Sequence, residues 1–337
     1  MTLWFGKTPI GKEHPVFVIA EIGINHEGSV ETCARMIEEA AAAGANSIKL
    51  QTVDPERNYA KDTYSYELFS RAVLSQEETA RMFEYVRELG MEPFTTAGDF
   101  KTLEWISKLD PSGFKISSGL LSCLPVVEKT ASFSKPVLMS TGMADEDNIE
   151  AALNTVKSTG NDQVALFQCT SLYPAEDKDL NLASISWMEK RFALPVGFSD
   201  HSAGITAASL SVAAGAVMIE KHFTLDKNLP EFDHRLSLEP KEFACMTGTI
   251  RQTERIMGSH DKVLSEETAK MRDQMSRYMV VATDLRKGHI LQEEDILFFR
   301  LNEQSAAPLN ASMYHDILGQ PLRRDMKALD AILQDTI

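Results

Sequence analysis

Two lysines near hydroxyl side chains predict a site for an anionic substrate. Lys49 and Gln51 are two residues apart, so one face of an extended strand would present both. Lys115 is followed closely by Ser117 and Ser118. Lysines inside a barrel mouth are costly to bury without an anionic partner. The other polar residues that end short apolar runs include Glu21, Thr96, Ser140, Ser171, Tyr173 and Ser199.

Two histidines predict a divalent metal site. His201 and His222 each end an apolar run, and adjacent parallel strands would bring their rings together. Two imidazole ligands leave positions open for water and substrate, which is typical of a catalytic ion; Mn, Fe, Co and Zn are all suitable. A lone histidine is more often structural, but this pairing favours the metal.

Eight apolar runs alternate with helix-like stretches, which predicts a (β/α)8 barrel of the α/β class. The predicted strands are 17–23, 47–51, 92–97, 114–118, 136–141, 164–170, 195–200 and 216–223. Helical spacing is found in 31–43, 76–89, 145–157, 203–214 and 240–257. In such barrels the active site lies at the carboxyl ends of the strands, where the polar residues named above collect.

The end of the chain breaks this rhythm. A polar stretch from position 260 to 277 reads as a linker or an exposed helix, and short strands are predicted at 277–282 and within 292–299. We expect a barrel domain over 1–262, a linker over 263–277 and a small domain over 278–337.

The composition excludes several classes of protein. A net charge of -15 disfavours a nucleic-acid surface, and no apolar run reaches the length of a membrane span. Four widely spaced cysteines disfavour a disulfide framework, and the first residues lack the pattern of a secretory signal. We therefore expect a cytoplasmic protein.

Ordered motifs in this frame resemble the sialic acid (N-acetylneuraminate) synthases, with their C-terminal SAF, or antifreeze-like, domain. The family includes legionaminic and pseudaminic acid synthases and a spore-coat polysaccharide homologue. The motifs are IAEIGINH at 19–26, KLQ at 49–51, STGM at 140–143, GFSDH at 197–201 and IEKHFTLD at 219–226.

The resemblance implies condensation of phosphoenolpyruvate with an amino-sugar aldehyde. It implies that Mn2+, with Mg2+ or Co2+ as alternatives, binds His201 and His222, and that Glu21 is a sugar-contacting general acid or base. It implies a domain-swapped homodimer in which Arg300 of one subunit serves the neighbouring barrel. The implied phosphoenolpyruvate contacts are Lys49, Gln51, Thr96, Lys115, Ser118, Ser140 and Ser199, and the implied further sugar contacts are Tyr173 and Asp233.

Three departures from the family pattern concern the substrates. Leu120 stands where the family usually has a sugar-binding glutamate. The family's His-Cys-Thr-Asn becomes QCTS at 168–171, which alters an expected phosphoenolpyruvate contact and places Ser171 among the expected substrate-binding residues. The loop 300–304 lacks the usual Arg-Pro-Gly-x-Gly. We therefore expect an acceptor that is deoxygenated, acylated or otherwise modified where Leu120 faces it.

Two alternatives remain open from the residues. The histidine and lysine pairs would also suit a metal-dependent aldolase or isomerase acting on a phosphorylated sugar. The lost carboxylate and the altered loop would suit a non-catalytic, sugar-binding homologue.

Overall fold

The computed structural model describes residues 2–259, 261–301 and 307–337. The chain divides into two units, at residues 1–258 and 259–337. The first unit begins with a short antiparallel hairpin of β1 (Leu3–Phe5) and β2 (Thr8–Ile10). Eight parallel strands then close into a barrel, with the last strand paired to the first. The predicted (β/α)8 barrel is therefore confirmed.

The barrel strands follow the predicted runs closely. They are β3 (Phe17–Gly23), β4 (Ser47–Gln51), β5 (Glu92–Thr96), β6 (Phe114–Ile116), β7 (Val137–Ser140), β8 (Val164–Cys169), β9 (Val196–Asp200) and β10 (Met218–His222). Strand β6 ends earlier than predicted, because the chain enters a 3-10 turn at Ser118–Leu120. This turn brings the Ser118 hydroxyl to the backbone N–H of Gly142, which donates to it at 3.0 Å.

Helices cover the outside of the barrel. They are α1 (Val30–Ala42), α2 (Pro55–Asn58), α3 (Tyr64–Ser70), α4 (Gln76–Glu88), α5 (Phe100–Ser107), α6 (Leu124–Ala131), α7 (Glu146–Ser158), α8 (Ala183–Phe192), α9 (Thr206–Ala213) and α10 (Pro240–Met257). Helix α9 begins three residues later than predicted, after Gly204 at φ +75°, a left-handed conformation that glycine adopts without strain.

The local sequence determines where a helix begins and which of its faces is buried. Ser75 caps α4 reciprocally with Glu78, which satisfies backbone N–H groups that the helix leaves free. Along α1, the residues Cys33, Met36, Ile37 and Ala40 are buried, at the three- and four-residue spacing of one helical face. These faces pack on the outward side chains of the strands and form the main hydrophobic core.

The amino-terminal hairpin closes the end of the barrel opposite to the site, and it was missed from the sequence. Phe5 is fully buried and makes edge contacts with Phe17 and Phe94, at centroid distances of 5.6 and 4.9 Å. Leu3 and Ile10 join the same apolar cluster, which also includes residues of the barrel interior. The interior is therefore a packed core rather than a pore.

The second unit has its own small core. It contains α11 (Glu266–Met275), β11 (Tyr278–Val281), β12 (Ile296–Phe299) and α12 (Tyr314–Ile317). Strands β11 and β12 pair antiparallel, and Met279, Ile296 and Ile332 belong to its apolar cluster. The helix α11 lies within the stretch expected to be a linker.

All four cysteines are free thiols, in keeping with the expected absence of a disulfide framework. Among the described residues, no helix combines the length and apolar character needed to cross a membrane.

Candidate active site

The polar ends of the barrel strands converge on one cavity. The predicted site residues that line it are Glu21, Lys49, Gln51, Lys115, Ser118, Ser140, Tyr173, Ser199, His201, His222 and Asp233. Thr96 ends β5 and pairs with Gln51 and Lys115 in the strand registers. The wall also contains Ser117, which follows Lys115 as noted from the sequence, together with Cys169 and Glu220, for which no role was predicted. Glu220 could have been found by strand alternation, because it lies two residues before His222 on the same face.

Glu220 is the centre of a buried charge network. Lys115 Nζ donates to both of its carboxylate oxygens, at 2.7 and 2.6 Å, and Ser199 Oγ donates at 3.0 Å. Lys49 Nζ lies 3.4 Å from Glu220 and 3.0 Å from Glu21 Oε1. The two lysines are thus paired with carboxylates in the ligand-free protein, and they are held where an anion could bind.

Burial and neighbouring charges shift the pKa values of these groups in different directions. Burial raises the pKa of Glu21 to about 7, against the opposing effect of Lys49. Burial also acts to raise the pKa of Glu220, but Lys115 and Lys49 outweigh it and hold this pKa well below its usual range. Burial lowers the pKa of Lys115, and the carboxylate of Glu220 only partly offsets this effect. Glu21 is therefore the acid of the site whose proton can move near neutral pH.

The two predicted metal ligands have adjacent rings. The imidazole centroids of His201 and His222 are 5.3 Å apart, and the ring of Tyr173 lies 4.3 Å from that of His201. Burial lowers the pKa of both histidines, and the proximity of His201 lowers that of His222 further. Both rings are consequently neutral at pH 7, as metal binding requires.

The hydrogen bonding of these rings fits a metal. His201 Nδ1 lies 2.8 Å from the carbonyl oxygen of Thr170. A carbonyl only accepts, so Nδ1 carries the proton and Nε2 has a free lone pair. His222 Nδ1 is buried without a hydrogen-bond partner, and Asp233 Oδ2 is 3.6 Å away. In the described part of the chain, no group of three or more His, Cys, Asp or Glu is arranged to hold a metal ion.

Some buried polar side-chain atoms of the strand ends have no hydrogen-bond partner. Among the described residues, the buried side-chain atoms without a hydrogen-bond partner are Glu21 Oε2, Thr96 Oγ1, Ser171 Oγ and His222 Nδ1. Nearly all buried polar groups in proteins are hydrogen-bonded. All four atoms belong to residues that were predicted from the sequence, including Thr96 and Ser171, which do not line the cavity.

Gly142 allows the hydroxyl groups to approach one another. A Cβ atom at this position would lie 2.6 Å from Ser171 Oγ, 2.9 Å from Ser118 Oγ and 3.0 Å from Cys169 Sγ. Any side chain would therefore displace these groups. The absence of a side chain leaves the backbone N–H of Gly142 and the hydroxyls of Ser118 and Ser171 close together; of these residues, Ser118 lines the cavity.

Asn25 holds the segment that carries Asp233. Asn25 is buried, and its Oδ1 accepts from the backbone N–H of Asp233 at 3.0 Å. Its Nδ2 donates to the carbonyl of Phe223 and to Ser237 Oγ, both at 3.0 Å. Ser237 Oγ in turn donates to the Asp233 carbonyl at 2.6 Å. The turn that follows the first barrel strand thereby positions a side chain that lies beyond the last strand.

Two further predicted features are Leu120 in the first unit and Arg300 in the second. Leu120 is partly buried against the hydrophobic core and does not line the cavity. Leu120 therefore presents no apolar surface to the cavity. Arg300 directly follows β12 in the second unit and is exposed. The rest of the altered loop, at 302–304, lies outside the described residues.

Comparison with known proteins shows that this chain is similar to synthases of legionaminic, pseudaminic and sialic acids. A model of the NeuB family matches residues 36–262, and a model of the SAF domain matches residues 276–337. The N,N'-diacetyllegionaminic acid synthase of Legionella pneumophila is 32% identical over 98% of this chain and 97% of its own length. The pseudaminic acid synthase of Campylobacter jejuni serotype O:2 is 32% identical, covering 95% of this chain and 96% of its own.

A solved structure is similar as well. The N-acetylneuraminic acid (sialic acid) synthetase from Leptospira borgpetersenii, crystallised with citrate, superposes with a TM-score of 0.77 and 31% identity. The match covers 82% of this chain and 97% of that one. These comparisons confirm the resemblance inferred from the motifs.

Proposed function

Because this chain belongs to the NeuB family, we propose that it condenses phosphoenolpyruvate with an N-acyl amino-sugar aldehyde in a metal-dependent reaction. The products are a nonulosonic acid and phosphate, which makes the enzyme a carbon–carbon bond-forming transferase. The observation that carries the proposal is the presence, in one cavity, of two buried lysines and two neutral imidazoles with free nitrogen atoms.

In this proposal the lysines and hydroxyls hold phosphoenolpyruvate. Lys49 and Lys115 neutralise its carboxylate and phosphate, and the surrounding hydroxyls donate to the remaining oxygens. The groups involved, with Gln51, are Thr96, Ser118, Ser140, Ser171 and Ser199. The support is the burial of both lysines in a cavity that Ser118, Ser140 and Ser199 also line.

In this proposal, the two histidines and Glu21 act at the aldehyde of the sugar. His201 and His222 would hold a divalent cation, Mn2+ in our proposal, which when bound polarises a carbonyl oxygen. Carbon 3 of phosphoenolpyruvate attacks the aldehyde carbon, water adds to carbon 2, and phosphate leaves with cleavage of its C–O bond. Glu21 Oε2, which is buried and unpartnered, is the atom that would hold the proton exchanged with the aldehyde oxygen or the water.

Phosphate release tests the proposed reaction. Purified protein is given phosphoenolpyruvate, Mn2+ and a panel of amino sugars, and phosphate should appear only when all three are present. Lys115→Met should abolish it, whereas Lys129→Met, which removes a lysine on α6, should not. Turnover of a phosphorylated sugar without phosphoenolpyruvate would instead establish an aldolase or isomerase. No reaction across the panel would leave a non-catalytic sugar-binding homologue.

We further propose that the acceptor is a modified amino sugar. Position 120 lacks the carboxylate that the family usually presents, and one relative is named for a diacetylated product, N,N'-diacetyllegionaminic acid. Deoxy or diacetamido hexosamines should therefore be turned over faster than N-acetylmannosamine. Leu120→Glu should shift the preference towards more hydroxylated sugars, and Leu120→Met should not. Equal or faster turnover of N-acetylmannosamine by the unmodified protein would refute this.

The domain-swapped homodimer remains a proposal based on the family resemblance. In it, Arg300 of one subunit acts at the barrel of its partner. Arg300→Ala and Lys115→Met are each expected to be inactive alone. Mixing them under subunit exchange should restore activity, because some barrels then receive an intact lysine and an intact arginine. Failure to regain activity despite demonstrated exchange would argue against a role in trans.

A further inference from the structure

A second ion pair lies directly behind the histidines. Asp200 and Lys221 stand opposite each other in the parallel register of β9 and β10. Each immediately precedes a histidine of the cavity, His201 or His222. Successive residues of a strand point to opposite faces. Accordingly, Ser199 and Glu220 line the cavity, whereas Asp200 and Lys221 do not.

The pair is completely buried and bonded to the chain that follows His201. Lys221 Nζ donates to Asp200 Oδ2 at 2.8 Å and to the carbonyl oxygen of Ser202 at 2.6 Å. Asp200 Oδ1 accepts from the backbone N–H of Ser202 at 2.8 Å and from its hydroxyl at 2.6 Å. Lys221 and Asp200 are 0% and 1% exposed, and neither has a side-chain atom left without a partner.

Stability alone does not account for such a pair. Removing two charges from water costs about as much as their attraction returns, so an apolar pair of similar volume would be equally stable or more so. Unlike an apolar pair, an ion pair with hydrogen bonds constrains the orientation of the groups that it joins. Here its hydrogen bonds fix the backbone on one side of His201 and join it to the residue beside His222.

The segment held by this ion pair is also bonded to the chain that follows Tyr173. Ser202 forms a parallel bridge with Ala175, and the Ala175 N–H donates to the carbonyl of His201 at 3.0 Å. Ala175 lies two residues after Tyr173, whose ring packs on His201. A shift of Ser202 would therefore move the backbone on which both rings depend.

We infer that Asp200 and Lys221 are positioning residues that set the distance and orientation of His201 and His222 for a divalent cation. This inference rests on the proposed function for the identity of the site, but its test does not require turnover. Breaking the pair should loosen the ends of β9 and β10 and weaken metal binding, although neither side chain reaches the cavity.

Metal binding to the otherwise intact, metal-free protein is the direct test. The dissociation constant for Mn2+ is measured by electron paramagnetic resonance, and the visible spectrum of bound Co2+ reports the ligand geometry. Asp200→Asn and Lys221→Met should each raise the dissociation constant about 10- to 100-fold, the range for residues that orient metal ligands. Both should also change the Co2+ spectrum.

Three additional variants address the risk of unfolding. The double variant Asp200→Leu/Lys221→Met removes both charges together and should fold, yet it should bind Mn2+ as weakly as the single variants. Ser202→Ala removes a single hydroxyl and should weaken binding to a smaller extent. Val156→Ala, a buried truncation in α7, is the control for lost stability and should leave both the affinity and the spectrum unchanged.

The outcomes separate this inference from the proposed function. Wild-type affinity and an unchanged Co2+ spectrum in the folded double variant would overturn the positioning role, even if the enzyme releases phosphate. Weakened binding in the variants would sustain that role even if no sugar of the panel were turned over.

Discussion

Lys115 and Glu220 form a bidentate ion pair inside the barrel mouth, with Nζ 2.7 and 2.6 Å from the two carboxylate oxygens. Both side chains are almost inaccessible to solvent. Glu220 occupies the lysine donors that an anionic substrate would need, and it also compensates a charge that burial disfavours. The carboxylate therefore acts as an internal counter-ion of Lys115.

Glu220→Gln should destabilise the ligand-free protein and make it more dependent on anions. Loss of one partner leaves Lys115 buried without its strongest counter-charge, which costs about 3 kcal/mol of unfolding free energy. Inorganic phosphate should replace the missing charge. We expect it to raise the melting temperature of the variant by more than it raises that of the wild type.

Glu104→Gln is the matched control, since Glu104 pairs with Lys129 on the protein surface. Exposed ion pairs contribute little to stability, so this variant should melt like the wild type at all phosphate concentrations. An equal response of Glu220→Gln and wild type to phosphate would contradict the counter-ion role.

The sequence was sufficient for the barrel and for most of its polar wall because both follow simple periodicities. Residues at the ends of parallel strands must meet, so the pairing of His201 with His222 was predictable. The hairpin that carries Phe5 could not be predicted, because its strands have three residues each and are too short to display an alternating pattern. Strand alternation predicts only that Glu220 faces inward. That it pairs with both lysines depends on how the side chains pack in three dimensions.

His26→Asn should reduce the loss of stability in mild acid. Burial lowers the pKa of His26 from 6.5 to about 4, and its Nδ1 accepts from the Gly28 N–H at 3.1 Å, which requires a neutral ring. The unfolded chain therefore binds a proton between pH 6.5 and 4 that the folded chain does not. This stabilisation is complete above pH 6.5 and is lost as the pH falls through 4; it amounts to about 3 kcal/mol.

Urea unfolding at several pH values between 4 and 7 measures this effect. An asparagine side chain can also accept from the N–H two residues further on, so the substitution removes the titration and keeps the hydrogen bond. The decrease in unfolding free energy from pH 7 to pH 4 should be about 3 kcal/mol smaller in the variant. Parallel pH dependences of the two proteins would show that His26 is not the group responsible.

Gly142→Ala should impair the use of phosphoenolpyruvate with little effect on folding. The added methyl group would displace Ser118 and Ser171, and misplacing groups of a site by about 1 Å can reduce the rate about 100-fold. We expect a reduction of this order in kcat/KM for phosphoenolpyruvate. Gly248→Ala, in α10 with open space around the added atom, is the control and should retain full activity. Similar kinetics of the two variants would mean that the close approach at Gly142 is not needed.

Asn25→Ala should affect the sugar more than phosphoenolpyruvate. It leaves the Asp233 N–H and the Phe223 carbonyl without their buried partner, which costs about 1–3 kcal/mol and loosens the segment that carries Asp233. If Asp233 contacts the sugar, KM for the amino sugar should rise about tenfold, equivalent to about 1.4 kcal/mol, at unchanged KM for phosphoenolpyruvate.

Asp233→Asn provides the comparison for Asn25→Ala. Because both substitutions act on one contact, the double variant should be no worse than the poorer single variant. Additive losses, or an equal rise in both KM values, would show that Asn25 acts on the cavity as a whole rather than through Asp233.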